Sequence, residues 1–121
     1  MYGTDYPTPD GTGIRDYIHI EDLAFAHLCA LKYLENGGKS TAMNVGYGHG
    51  SSVREVLEVV RKVSGTDLNI VEADRRPGDP ASLVARADKI RTLTGWEPRY
   101  NSLETIVADA WRWECRLAGK Q

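Results

Sequence analysis

Two loops of this chain set arginine beside glycine. The first runs Asp10-Gly11-Thr12-Gly13-Ile14-Arg15, and the second runs Arg75-Arg76-Pro77-Gly78-Asp79. A guanidinium is a planar fork that gives two parallel charge-assisted bonds to a phosphate or carboxylate. Glycine lets the backbone pass close to something bulky. Two forks on loops far apart in sequence would clamp a diphosphate from two sides, each bond worth about 1.5–3 kcal/mol in a dry site. Asp79 would then supply paired acceptors for ribose hydroxyls. The plain alternative for the first loop is a turn whose Arg15 pairs with Asp16, and on the local motif alone that alternative is preferred. For the second loop it is a solvated Arg–Asp network, worth about 0–1 kcal/mol per exposed pair.

Other chemistry is sparse. Gly46-x-Gly48-x-Gly50, read between a strand and a helix and followed by Glu72, imitates a dinucleotide-binding unit. The third glycine of that fingerprint falls on Ser51, and the acid comes later than the usual ~20 residues. A tight strand-to-helix connection is the commoner meaning, although such a loop could hold an anion at the helix N-terminus. No tyrosine has a lysine four positions on, and no Cys-His or Ser-His-acid order is compelling. Cys29 and Cys115 make no metal-like spacing with His19, His27 or His49, so half-buried thiols are expected. These residues describe a phosphate-sugar binder without a reaction centre.

The elements that must position the loops follow from punctuation and period. The chain of 121 residues is one domain or part of one. Residues Glu21 to Glu35 read as a helix that is apolar on nearly all sides and stopped by Asn36-Gly37-Gly38. Such a helix needs cover that this length is not expected to supply. Thr41–Val45 and Asn69–Ala73 read as strands, Tyr17–Ile20 and Ser82–Ala85 as short extended pieces. Ser52 and Glu55 form a capping box for a helix striped by Val53, Val56, Leu57, Val60 and Val63, with Glu58 and Lys62 spaced to pair. Ala87–Leu93 reads as a short helix, and Trp96 as a core residue. Asn101 and Glu104 read as the cap of a last helix, burying Leu103, Ile106, Val107, Ala110, Trp113 and Leu117.

Net charge is −2, from 15 basic and 17 acidic residues. That balance leaves no electrostatic footprint for nucleic acid or an anionic membrane. No membrane span or signal-peptide core is seen, so the default location is cytoplasmic.

Several of these stretches together carry a family likeness. Asp5-Tyr6-Pro7-Thr8-Pro9-Asp10-Gly11-Thr12-Gly13-Ile14-Arg15-Asp16-Tyr17-Ile18-His19 closely resembles a signature of UDP-glucose 4-epimerases. Asp22-Leu23-Ala24 with Ala26-His27, Met43-Asn44-Val45-Gly46 with Gly48 and Ser52-Val53, and Arg75-Arg76-Pro77-Gly78-Asp79-Pro80 continue it in order. Gly95-Trp96-x-Pro98 and the Trp111/Trp113 helix finish it. The likeness covers essentially the whole chain. The family consists of extended short-chain dehydrogenases/reductases holding NAD, isomerases that oxidise carbon 4 of the hexose, turn the 4-keto sugar over and reduce its other face. The resemblance implies an α/β fold, with residues 1–121 forming the C-terminal UDP-sugar-binding region. The NAD-binding Rossmann half and the catalytic Tyr and Lys would be absent. The chain alone is therefore expected to be inactive and to hold no NAD. By resemblance Arg15 and Arg76 would bind the diphosphate and Asp79 the ribose. Tyr2 would sit by uracil, and Leu83 would line the sugar pocket and tune tolerance for an N-acetyl group. The resemblance also implies that the first helix and the Met43–Val45 strand pack on the Rossmann sheet, and that the complete enzyme is a homodimer. In the lone chain the same helix surface is expected to drive association. Rival readings are a UDP-arabinose or UDP-N-acetylglucosamine 4-epimerase fragment, and a non-enzymatic UDP-sugar-binding or interaction module.

Overall fold

The computed structural model describes residues 1–119. These form β1 (Ile14–Arg15), α1 (Ile20–Glu35), β2 (Ser51–Ser52), α2 (Val53–Ser64), β3 (Ser82–Leu83), α3 (Asp88–Thr94) and α4 (Leu103–Leu117). β1 lies at the centre of a three-stranded mixed sheet. It runs antiparallel to β2, with Ile14 opposite Ser52, and parallel to β3, with Arg15 beside Leu83.

Local chemistry explains the helix ends. Ser52 Oγ accepts the Glu55 amide at 3.0 Å and Glu55 returns a carboxylate oxygen to the Ser52 amide at 2.7 Å, closing the capping box. The valine stripe of α2 packs on α4. α1 begins at His19, whose Nδ1 accepts the Glu21 amide at 3.1 Å. α1 also packs on α3, and the core they share holds Ala26, Ala87, Ile90 and Trp96. Ile18, Phe25, Cys29, Met43 and Val45 close around that core. Trp96 is fully buried and its indole N–H donates to the Asp22 carbonyl at 3.1 Å.

Several expectations are corrected. The extended pairing falls on Ile14–Arg15 rather than on Tyr17–Ile20, because the Asp10–Gly13 turn brings Ile14 against β2 and β3, and Ile20 already opens α1. Thr41–Val45 and Asn69–Ala73 are not strands: they find no neighbouring ladder, and only Ala73 makes a single bridge, to Tyr2. The cap of α4 is Ser102, which accepts from the Thr105 amide, while Asn101 accepts from His49 Nε2 at 2.7 Å. Lys62 pairs across to Glu104 at 3.0 Å instead of with Glu58. On α4 only Val107 is buried. Leu103 and Ile106 are half-buried, and Ala110, Trp113 and Leu117 are exposed.

The outer side of α1 is bare. Leu28, Leu31 and Leu34 are 63%, 54% and 50% exposed. The helix is apolar nearly all round, yet α3 and the segment through Met43 and Val45 cover one side only.

Candidate functional site

The first loop is locked from behind by α2. Asp10 Oδ1 accepts the Thr12 amide at 2.9 Å and its hydroxyl at 2.7 Å, while Asp10 Oδ2 takes the Ser52 hydroxyl. The Val53 amide donates to the Gly13 carbonyl at 3.0 Å and the Arg54 amide to Thr12 Oγ1 at 3.2 Å. Thr12 is fully buried as a result. Gly11 is required here: its φ is +79°, and a Cβ would press into the Thr4 carbonyl. Burial works to raise the Asp10 carboxyl, but the bonds from Ser52 and Thr12 and the nearby Arg54 charge outweigh it and leave its pKa below the usual range. The N-terminus of α2 therefore spends its amides on the loop and its own cap. It does not present the anion site that the glycine pattern allowed.

The same lock sets Arg15. Asp16 turns away from it, accepting the Tyr47 amide at 3.4 Å and the Ala85 amide at 3.1 Å. The expected Arg15–Asp16 pair is thus absent, and among the described residues Arg15 meets no carboxylate, bonding only to the Ile14 carbonyl at 2.7 Å. Gly46 makes the Asp16 clamp possible, since a Cβ there would collide with the carboxylate and with Ala85. Leu83, 61% exposed, is the register partner of Arg15 on β3.

The second loop is tied to the chain start. Residues 1–3 run parallel to 71–73, with the Ala73 amide donating to the Met1 carbonyl and the Gly3 amide to the Ala73 carbonyl, each at 2.8 Å. Arg75 belongs to this scaffold: it pairs with Asp5 at 2.7 Å and lies over the Tyr6 ring at 4.4 Å. Arg76 lies over the exposed Tyr2 ring at 5.0 Å and pairs with Asp79, its Nε and terminal nitrogen at 2.9 and 2.8 Å from Asp79 Oδ2. The fold therefore brings Tyr2, Arg76 and Asp79 into one group and Arg15 and Leu83 into another. The short Pro80–Ser82 stretch joins them, with the Ile14 amide donating to the Ala81 carbonyl at 2.9 Å. No hydrogen bond or ion pair among the described residues links the two groups directly.

Sequence reading missed a buried polar hub centred on Asp22. The Asp22 carboxylate, 1% exposed, accepts the Tyr47 hydroxyl at 2.6 Å, the Arg99 amide at 2.9 Å and the Tyr100 amide at 3.0 Å. Burial would raise the Asp22 carboxyl, but these three donors outweigh it and hold its pKa below the usual range. Burial, with donation to Asp22, pushes the Tyr47 hydroxyl up to about 12. Tyr47 also accepts the His19 amide at 3.0 Å. Because His19 Nδ1 takes an amide proton, its Nε2 carries the hydrogen and donates to Asp109 at 3.0 Å. One hub thus ties the start of α1 to the Tyr47 loop, to the turn before α4, and to α4 itself. The only sequence signal was an acid in the first turn of α1, which reads as a dipole complement.

The Gly46–Gly50 loop does not form a dinucleotide cradle among the described residues. It follows no strand, the α2 amides are engaged, and Glu72 pairs with Arg54 at 3.9 Å. The chain matches the NAD dependent epimerase/dehydratase family over residues 1–46. It is 56% identical over 117 residues to a UDP-glucose 4-epimerase of Azospirillum brasilense, covering 97% of this chain and 34% of that protein. A crystal structure of a UDP-glucose 4-epimerase superposes with a TM-score of 0.91 at 48% identity, covering 100% of this chain and 37% of that one. The Stenotrophomonas maltophila UDP-glucose-4-epimerase, solved with bound NAD and formylated UDP-arabinopyranose, gives 0.89 at 37% identity over 98% of this chain and 35% of its own. Residues 1–46 thus match the NAD dependent epimerase/dehydratase family, and nearly the whole chain is similar to part of these UDP-glucose 4-epimerases. The chain spans about a third of their length.

Proposed function

We propose that residues 1–121 are the C-terminal, UDP-anchoring region of a UDP-glucose 4-epimerase. The observation that carries this is Arg15. It stands on the central strand, unpaired with any described acid, in register with exposed Leu83 and one short stretch away from Arg76 and Asp79. Arg15 and Arg76 hold the diphosphate, Asp79 the ribose, Tyr2 flanks the base and Leu83 lines the hexose pocket. This chain fixes the nucleotide end so that the sugar end can turn. It supplies no group for the redox chemistry at carbon 4 and is inactive alone. α1 and the 41–45 segment pack on the NAD-binding domain of the complete enzyme. The second substrate reading, UDP-N-acetylglucosamine or UDP-arabinose, is supported by a UDP-Glc/GlcNAc 4-epimerase of Campylobacter jejuni, 52% identical over 96% of this chain, and by the formylated UDP-arabinopyranose of the Stenotrophomonas structure.

Calorimetric titration of UDP into the chain completed with an N-terminal NAD-binding half tests the site. Losing one fork removes about 1.5–3 kcal/mol, or roughly ten- to a hundred-and-fifty-fold in affinity, for Arg15→Ala or Arg76→Ala. Arg→Lys recovers only part, because a point charge cannot reproduce the planar fork. Wild-type UDP affinity in both alanine variants removes the support for this site.

A further inference from the structure

The two groups assigned to diphosphate and ribose are paired with each other. Arg76 places two nitrogens on one Asp79 oxygen, at 2.9 and 2.8 Å. The backbone holds that geometry, because the Asp79 amide donates to the Arg76 carbonyl at 3.2 Å and closes the turn between them. Tyr2 covers the guanidinium on a further side. The pair is uneven in its surroundings: the Arg76 side chain is 60% exposed and that of Asp79 only 27%. When Arg76 leaves, it re-enters water easily, whereas Asp79 is left partly buried without a donor.

We propose that the Arg76–Asp79 ion pair is a specificity latch, selecting ligands that carry sugar hydroxyls as well as phosphate. This rests on the UDP-anchoring reading above. A nucleoside diphosphate replaces both halves of the pair: its phosphate oxygens take the place of Asp79 on Arg76, and its ribose hydroxyls take the place of Arg76 on Asp79. Inorganic pyrophosphate replaces only one half. It must pull Arg76 away and leave the Asp79 carboxylate unpaired beside a second negative charge. Asp79 therefore does two jobs, accepting ribose and holding Arg76 closed to bare phosphates.

In the chain completed with an N-terminal NAD-binding half, titration with pyrophosphate, followed by phosphorus NMR, reads the latch, and a separate titration with UDP reads the binding site. An exposed ion pair of this kind corresponds to about two- to fivefold in affinity. Asp79→Ala should bind pyrophosphate tighter by about that factor. It should bind UDP weaker by about threefold or more, because the lost ribose acceptor outweighs the freed arginine. The pyrophosphate gain should vanish in an Arg76→Ala background. Asp79→Ala binding pyrophosphate no tighter overturns the latch. So does a gain that persists without Arg76, since that is simple relief of charge repulsion. Should Asp79→Ala fail to fold, Asp79→Asn keeps the shape, removes the charge and supplies the same comparison. Failure of UDP to bind the wild-type chain overturns the anchoring reading instead, and it is seen in the other titration.

Discussion

Asp22→Asn is the most telling single change to the scaffold. The carboxylate receives three donors, Tyr47 Oη and the amide of Tyr100 on one oxygen and the amide of Arg99 on the other. The best amide orientation keeps its oxygen toward Tyr47 and Tyr100 and turns its NH2 against the Arg99 amide. One charge-assisted bond is then replaced by two opposed donors, and the other two bonds weaken to neutral strength. Hydrogen bonds to a charged group are worth about 1.5–3 kcal/mol and neutral ones about 1, so the expected loss is roughly 2–4 kcal/mol. Against a typical domain stability of about 5–15 kcal/mol this is a large share. For a chain of this size it corresponds to a fall in melting temperature of roughly 8–15 °C. Urea and thermal unfolding, followed by far-UV circular dichroism at low protein concentration, provide the assay. Asp22→Asn within about 0.5 kcal/mol of wild type, the ordinary range for surface changes, would refute the hub.

Acid should destabilise the fold in a defined direction. Asp10 and Asp22 both have folded pKa values below their ordinary ones, so the unfolded chain binds more protons in acid. Their contribution is complete above the unfolded carboxyl value of about 3.9 and is lost as pH falls through the folded values. The urea midpoint should stay level from about pH 6 to pH 5 and drop below about pH 4, less steeply in Asp22→Asn; a midpoint that rises on acidification contradicts this. The bare α1 surface predicts dye binding: an environment-sensitive hydrophobic dye should brighten with the folded chain, and Leu31→Glu should reduce the signal. A sharply melting monomer that leaves the dye dark would count against an interface there.

The helices were legible because their signals are local. The Ser52/Glu55 box, the valine stripe of α2 and the Gly95 stop each lie within a turn or two of the element they define. The strands were not, since two residues are too few to show alternation and their partners come from elsewhere in the chain. Thr41–Val45 and Asn69–Ala73 have strand-like composition, yet a ladder needs a neighbour and the described residues offer at most one bridge. Arg15, Arg76 and Asp79 were singled out by residue type and spacing. The exposed Arg76–Asp79 pair is the Arg–Asp network weighed as the plain alternative for that loop, whereas the isolation of Arg15 from every described acid was not foreseen. Asp16 could be read equally as a partner for Arg15 or as a backbone clamp, and only the close approach of Gly46 decides it. Asp22 escaped because its acceptor role depends on Arg99 and Tyr100, which lie far along the sequence.

The central place of β1 also governs how the chain must fold. Ile14 and Arg15 wait for partners at 51–52 and again at 82–83, so the sheet closes only when most of the chain has been gathered in. Such non-local pairing slows folding relative to helical domains of the same length. The helices can form early and give a nearly native far-ultraviolet spectrum while Arg15 and Leu83 are still apart. A single proteolytic nick in the irregular 66–81 stretch would sharpen the distinction. Within one cut chain it would spare every helix and free β3 from the tether that delivers it to β1. Recovery of UDP binding after refolding should therefore lag behind recovery of helix.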